Sequence, residues 1–116
     1  MNTKHGWTEI MANAKWKVEL LHEIQDADDD NVDVVVLLDN GKEYGATFFT
    51  YTNITTLRSM WAHNGDCLGG KYFWCRFPIF IDRLTIEGIQ DVIVDLIKNN
   101  ELTSAMELLV ENKHRP

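Results

Sequence analysis

The chain has 116 residues, enough for a single domain (1–116) with one hydrophobic core, and two cysteines, too few for a disulfide scaffold. Its formal net charge is −7, which argues against direct binding of nucleic acid, because phosphate backbones repel an acidic surface. No stretch reaches the ~20 apolar residues of a membrane span and the N-terminus lacks the apolar region of a secretory signal, so we expect a cytoplasmic protein with reduced thiols.

The N-terminal quarter predicts a short helical turn, one strand and a loop. The turn is expected over residues 8–14, where the pattern is weak. From Trp16 onwards, apolar and charged residues alternate, which predicts a half-buried strand that runs to about Ile24. Residues 25–31 are rich in aspartate and predict a loop, because Asp and Asn side chains bond the local backbone in turns.

The clearest local signal is a β-hairpin over residues 32–51. Two β-rich runs flank Asn40 and Gly41, the dipeptide typical of a two-residue type I′ turn, in which both central residues need φ > 0. A turn of this type sets a register that pairs Leu37 with Tyr44. Both faces of the ribbon are apolar over part of their length, so we expect the hairpin at the centre of a sheet.

A helix and an interrupted strand follow the hairpin. Asn53 is predicted to cap a helix over residues 54–63 that stops at Gly65, and a glycine-rich loop comes next. Residues 71–83 predict a second strand region. Pro78 restricts that region to an edge strand, a bulge or two short strands, because proline has no N–H for the ladder.

Two helices are predicted to complete the fold. Thr85 begins the stronger one, whose buried face is formed by apolar residues at spacings of three and four: Ile86, Ile89, Val92, Ile93, Leu96 and Ile97. Ser104 and Glu107 form the pattern of a capping box for a last helix to about Glu111. The predicted fold is α+β, an antiparallel sheet of about four strands (a meander plus one) with helices packed on one face.

Catalytic chemistry has one candidate location, near His63, Asp66 and Cys67. A thiol beside an imidazole can act as a nucleophile with its base, but the sequence supplies no obvious orienting residue or oxyanion hole. The histidine and the two cysteines also lack the short fixed spacing of zinc ligands. We therefore predict no catalytic residue, metal or cofactor, and keep a small enzyme or ligand-binding pocket at this position as the alternative.

Acidic residues mark two candidate contact surfaces. Glu87, Asp91 and Asp95 recur at i, i+4 and i+8 of the predicted helix, a spacing at which like charges repel one another. Such a stripe can be retained for binding a basic partner, and it can also be a solvated face relieved by Lys98. The loop before the hairpin carries a second acidic group: Asp28, Asp29 and Asp30.

Two aromatic residues are candidate apolar contacts. Tyr72 and Trp74 lie on the mixed face of the second strand region, and Trp and Tyr are frequent hot spots of protein interfaces. Aromatic residues on strands can also stack RNA bases, but such sheets have a basic surround that this chain lacks. A protein partner is therefore the favoured interpretation for Tyr72 and Trp74.

The segment from Gly41 to Leu102 carries a family resemblance. It runs GKEYGATFFT, a short helix, GDCLGGKYFW, a strand and LTIEGIQDVIVDLI. This segment resembles small bacterial immunity proteins of contact-dependent growth inhibition and related polymorphic toxin systems. The resemblance implies a cytoplasmic, non-enzymatic inhibitor that binds one cognate toxin C-terminal domain, often a basic nuclease.

Three functional hypotheses follow from the sequence. The first is an immunity protein whose acidic groups meet a basic toxin domain, with Tyr72 or Trp74 as an apolar anchor. The second is the small enzyme or ligand-binding domain near His63. The third is a structural adaptor that dimerises through the strand beside Pro78.

Overall fold

The computed structural model describes residues 3–4 and 7–111 of the protein. In chain order its strands and helices are β1 (Thr3–Lys4), β2 (Trp7–Ala12), β3 (Trp16–Leu20), β4 (Asn31–Leu38), β5 (Glu43–Thr50), α1 (Tyr51–Asn64), α2 (Asp66–Gly70), β6 (Pro78–Ile81), α3 (Ile86–Lys98), α4 (Leu102–Ala105) and β7 (Glu107–Val110).

The strands form one sheet in the order β1-β2-β3-β4-β5-β6, and β7 also pairs with β5. Neighbours from β1 to β5 are antiparallel. The free edge of β5 is shared by β6, which is parallel to it, and β7, which is antiparallel. The predicted α+β class with a mainly antiparallel sheet is confirmed, and the sheet has more strands than the four that the sequence indicated.

Two stretches with a predicted helical structure are strands instead. Residues 7–12 pair with β3 where a helical turn was expected, and residues 107–110 pair with β5 where the last helix was expected. The first stretch carries a weak local pattern, and Glu107 of the expected capping box is the first residue of β7. In both stretches, the hydrogen bonds offered by an open strand edge decide the conformation. β3 ends at Leu20, four residues before the predicted end, and a helix of only four residues, α4, precedes β7.

The central hairpin forms, but its register differs by one residue from the prediction. The loop contains three residues, 39–41, of which only the glycine adopts a positive φ, at +89°. The Leu38 N–H donates to the Lys42 carbonyl at 2.9 Å, as in a type I turn followed by a glycine bulge. Tyr44 consequently pairs with Val36, and this shift exchanges the faces on which the side chains of one strand lie.

The hydrophobic core lies between α3 and one face of the sheet, which we call the core face. Val34, Val36 and Phe48 project from this face and are fully buried against Ile89 and Ile93 of α3. Complete burial of such a side chain contributes about 1.5–3 kcal/mol relative to leaving it exposed. The prediction of α3 as the principal amphipathic helix is therefore confirmed, but Ile86, which was expected on its buried face, is the first residue of the helix and is 44% exposed. The N-cap is Thr85, whose Oγ1 accepts from the Gly88 N–H at 2.9 Å.

α1 lies on the opposite side of the sheet, which we call the outer face. Phe49 follows the buried Phe48 in β5 and therefore projects from the outer face. The ring of Phe73 packs edge-on against Phe49 with a centroid distance of 5.2 Å, and Trp61 of α1 stacks on Phe73 at 5.5 Å. Helices thus flank both faces of the sheet, whereas the sequence indicated one face only.

Within residues 71–83, only Pro78–Ile81 forms a strand. This strand, β6, is the last in the sheet order, and Pro78 is its first residue. The edge-strand alternative is thus confirmed.

Candidate functional site

The aspartate loop between β3 and β4 is fastened to the first turns of α1. The carboxylate of Asp29 accepts from Asn53 Nδ2 at 2.9 Å and from Thr56 Oγ1 at 2.7 Å. The bond from Thr56, and then that from Asn53, lowers the pKa of Asp29, while partial desolvation acts in the opposite direction. Asn31 Nδ2 donates to Asn53 Oδ1 at 2.8 Å, so the amide of Asn53 joins the loop to the start of β4.

The other aspartates of this loop are also bonded within the chain. Asp30 Oδ2 accepts from the backbone N–H groups of Gln25 at 2.7 Å and Asp26 at 3.1 Å. Asp28 Oδ1 accepts from Arg83 Nε at 2.7 Å, in an ion pair whose side chains are both largely exposed. Asp29 and Asp30 therefore order the loop, and the charge of Asp28 is balanced by Arg83.

The helix cap beside this loop is a residue that the sequence analysis did not identify. α1 begins three residues before the predicted start, and its N-cap is Thr50, whose Oγ1 accepts from the Asn53 N–H at 3.0 Å. Thr50 is fully buried and Asn53 is 6% exposed. A threonine three residues before Asn53 is the sequence signal that identifies this cap.

The acidic stripe of α3, formed by Glu87, Asp91 and Asp95, lies on the solvent side of the helix. All three residues are exposed, and none of their carboxylates forms a hydrogen bond or ion pair within the described residues. Lys98 likewise makes no ion pair with Asp91 or Asp95 in that part of the chain. At a rise of 1.5 Å per residue, the stripe is about 12 Å long. It is a row of uncompensated negative charge on a helix that is rigidly held by the core.

Tyr72 and Trp74 belong to a different surface. Both lie in the irregular segment between α2 and β6, and Trp74 is 70% exposed. Phe73, between them, turns inward to Phe49 on the outer face of the sheet. The structure thus separates these aromatic residues from the stripe of α3, which lies over the core face.

Of the three residues of the alternative site, only His63 lines the depression on α1. The exposed His63 ring lies with Nδ1 at 3.0 Å from the Ser59 carbonyl, within its own helix. A surface depression on α1 includes His63 and Met60 but neither Asp66 nor Cys67. Cys67 lies in a left-handed turn, with φ of +52°. In the described part of the chain, no three His, Cys, Asp or Glu side chains are grouped so that they could hold a metal ion.

A groove of about 280 Å³ crosses the outer face beneath the segment before β6. Its polar side chains are paired with one another: Thr47 Oγ1 donates to Asp33 at 2.5 Å, and Arg76 forms an ion pair with Glu107. A Cβ at Gly45 would lie 2.6 Å from Leu109 Cδ1, so a larger residue at this position would require the exposed Leu109 side chain to shift. The groove therefore presents no unpaired polar side chain among Asp33, Thr47, Arg76 and Glu107.

No protein-family model, curated protein or solved structure matches the chain. None of the described helices combines the length and the apolar composition needed to cross a bilayer. The candidate surfaces are thus identified by the charge, exposure and packing of this chain's own residues.

Proposed function

We propose that the protein is a bacterial immunity protein that binds a cognate toxin C-terminal domain in the cytoplasm and neutralises it by direct contact. The observation that carries this proposal is the acidic stripe of α3. Three exposed carboxylates lie in a row without internal partners among the described residues. The proposed partner surface is basic, and neither nucleic acid nor membrane is involved.

The physical setting of the stripe favours binding over a structural role. Glu87 lies in the first turn of α3, where the helix dipole stabilises a negative charge, but Asp91 and Asp95 lie beyond it. Removal of these two charges would lower the repulsion within α3, so the fold does not need them. The helix beneath is fixed by the complete burial of Ile89 and Ile93, which places the carboxylates in one geometry before a partner arrives. Val94 is 41% exposed beside the stripe and offers apolar contact area. A rigid charged row of this kind accelerates encounter with a basic surface and fixes its orientation.

The decisive experiment is titration calorimetry with the C-terminal domain of a polymorphic toxin encoded next to this gene. We expect one-to-one binding that weakens as salt is raised, because exposed charges are screened. Asp91→Lys should weaken binding by about tenfold or more, since a like charge then faces the basic toxin. Asp66→Lys is the matched control, because it makes the same charge change at an exposed residue away from α3.

The possible outcomes test separately whether the protein is an immunity protein and whether the toxin binds to the acidic stripe. If the wild-type protein neither binds nor inhibits the toxin domain, the immunity function is wrong. If it binds and both variants weaken binding equally, the toxin contacts a surface other than the stripe. Protection of cells that express the toxin provides the functional measurement alongside the affinity.

A further inference from the structure

A cleft of about 560 Å³ opens beside the first turn of α3, on the core side of the sheet. Its walls come from β2, β3, the segment after β3 and the start of α3, and most of its side chains are aliphatic: Ile10, Leu20, Ile24, Leu84 and Ile86. Leu20 and Leu84 form the floor, since they are 4% and 1% exposed. The cleft, which we call the α3 cleft, is therefore an open margin of the hydrophobic core.

Ile86, at the rim of the α3 cleft, faces the sheet and yet remains exposed. At about 100° per residue, Ile86 and Ile93 project from α3 within about 20° of each other. Ile93 is fully buried against the sheet, whereas Ile86 borders the α3 cleft and is 44% exposed. An apolar group inserted into the α3 cleft would complete for Ile86 the burial that Ile93 already has.

The α3 cleft adjoins the acidic stripe. Glu87, the first residue of the stripe, follows Ile86 directly in α3. The exposed Val94 projects about 20° from the direction of Glu87 and about 80° from that of Ile86, so it extends the apolar border of the stripe. Gln90 Nε2 donates to the Ile10 carbonyl, which holds this side of α3 against β2. The stripe and the α3 cleft therefore belong to one continuous surface.

The charges around the α3 cleft suit the same basic partner as the stripe. Glu23 contributes an exposed carboxylate, and none of the described residues that line the cleft is a lysine or arginine. Arg83, which precedes the lining residue Leu84, donates from Nε to Asp28 Oδ1 at 2.7 Å. A basic surface that meets the stripe can therefore extend over the α3 cleft without a row of opposing cations.

We propose that an apolar side chain of the toxin domain inserts into the α3 cleft while the basic surface around it meets the acidic stripe. This inference rests on the proposed immunity function and names the apolar anchor of that interface. Interfaces concentrate much of their binding energy in a few side chains that fill pockets on the partner. The volume of the α3 cleft lies within the roughly 300–1,000 Å³ of pockets that enclose small ligands. Tyr72 and Trp74 lie away from the stripe, so the anchor comes from the toxin.

Titration calorimetry with the toxin domain tests the insertion through Ile86→Glu. The substitution adds a negative charge beside the stripe, in a first turn where the helix dipole favours it. Attraction to a basic surface alone would then strengthen binding, whereas loss of the apolar insertion should weaken binding by about tenfold or more. The weakening should persist at high salt, because the burial of apolar surface is not screened as charges are.

Leu108→Glu is the matched control for this substitution. Leu108 is 41% exposed on β7, so the same change of charge and of apolar area is made at a comparable site away from α3. It should leave the affinity for the toxin domain unchanged. Equal weakening by Ile86→Glu and Leu108→Glu would overturn the insertion.

An NMR titration of the full chain without toxin tests the α3 cleft itself. Isoamyl alcohol, which carries the branched alkyl group of leucine, should cause saturable shifts of the amides of Ile10, Leu20 and Ile86 in the wild-type protein. The same alcohol should cause much smaller shifts in Ile86→Glu, because a carboxylate at the rim keeps water in the cleft. The absence of saturable shifts in the wild-type protein would overturn the α3 cleft as an apolar binding site.

The remaining results distinguish failure of the insertion from failure of the immunity function. If the wild-type protein binds the toxin domain, Asp91→Lys weakens binding and Ile86→Glu does not, the insertion is wrong and the immunity function stands. If the wild-type protein binds no toxin domain, the immunity function is wrong and the insertion that rests on it is overturned as well.

Discussion

α3 and α1 have nearly the same length, 13 and 14 residues, yet they are attached to the sheet in opposite ways. α3 buries two isoleucines completely, whereas the only buried residue of α1 is Asn53. α1 is held by polar bonds at its first turns and by one aromatic stack at Trp61. The comparison shows that a helix can be fixed at one end by hydrogen bonds and leave most of its length exposed to solvent.

The apolar interface of α3 and the hydrogen bonds at the start of α1 place different requirements on the remaining residues of each helix. An apolar interface requires a continuous buried stripe, so the outward side chains of α3 are free to carry charge. A polar anchor at one end makes no such demand, and α1 accordingly exposes Met60 and Tyr51 to solvent. The acidic stripe and the exposed apolar residues Tyr51 and Met60 thus belong to helices with different stabilising interactions.

The largest expected loss of stability comes from a substitution in the apolar interface between α3 and the sheet. Ile93→Ala should lower the free energy of unfolding by about 3 kcal/mol, because it leaves a cavity in a fully packed core. Leu57→Ala in α1 should cost about 1 kcal/mol, since Leu57 is only half-buried. Urea denaturation followed by circular dichroism measures both values. Equal losses from the two variants would show that α1 is packed as firmly as α3.

A somewhat smaller loss of stability is expected from a substitution in the hydrogen bonds that hold the first turns of α1. Asn53→Ala should lower the free energy of unfolding by about 2 kcal/mol, because Asn31 and Asp29 each lose a bonding partner in a partly buried site. The control is Thr52→Ala, which changes an exposed neighbour in the same helical turn. If Asn53→Ala destabilises no more than Thr52→Ala, the amide network does not hold α1 in place.

The same comparison explains how much of the molecule is predictable from its sequence. The buried face of α3 follows from a regular spacing of isoleucine, valine and leucine, so its position was correctly predicted except at Ile86, which is exposed. The polar anchor of α1 is a contact between Asn53 and a loop 24 residues away, and local patterns do not encode a pairing over that distance. The acidity of the loop was evident, but its internal bonding was not.

Strand pairing also limits how much of the fold the sequence can predict. The hairpin was predictable from Asn40 and Gly41, while its register depended on which loop residues adopt a positive φ. β7 is a strand because the edge of β5 is open beside it, which only the folded sheet reveals. For the candidate surfaces, the sequence supplied the acidic stripe and the exposed aromatic residues, but it could not show that they lie on opposite sides of the sheet.

The smallest expected effect is a difference in how the two helices respond to acid. The pKa of Asp29 is lowered in the folded protein by its bonds from Thr56 and Asn53, so the unfolded chain takes up the proton at a higher pH than the folded one. The resulting stabilisation is fully present above the unfolded pKa of about 4 and is lost as pH falls through the lower folded pKa. Acid therefore weakens the attachment of α1, whereas the buried isoleucines that attach α3 to the sheet carry no titrating group.

Hydrogen exchange corrected for intrinsic pH dependence measures this difference. In the wild-type protein, the amides of α1 should lose protection relative to those of α3 as pH falls below about 4. Asp29→Asn removes the titrating group, so α1 should be less protected at neutral pH and the relative change on acidification should disappear. If α1 in this variant still loses protection with the wild-type pH dependence, a carboxylate other than Asp29 controls the attachment of α1.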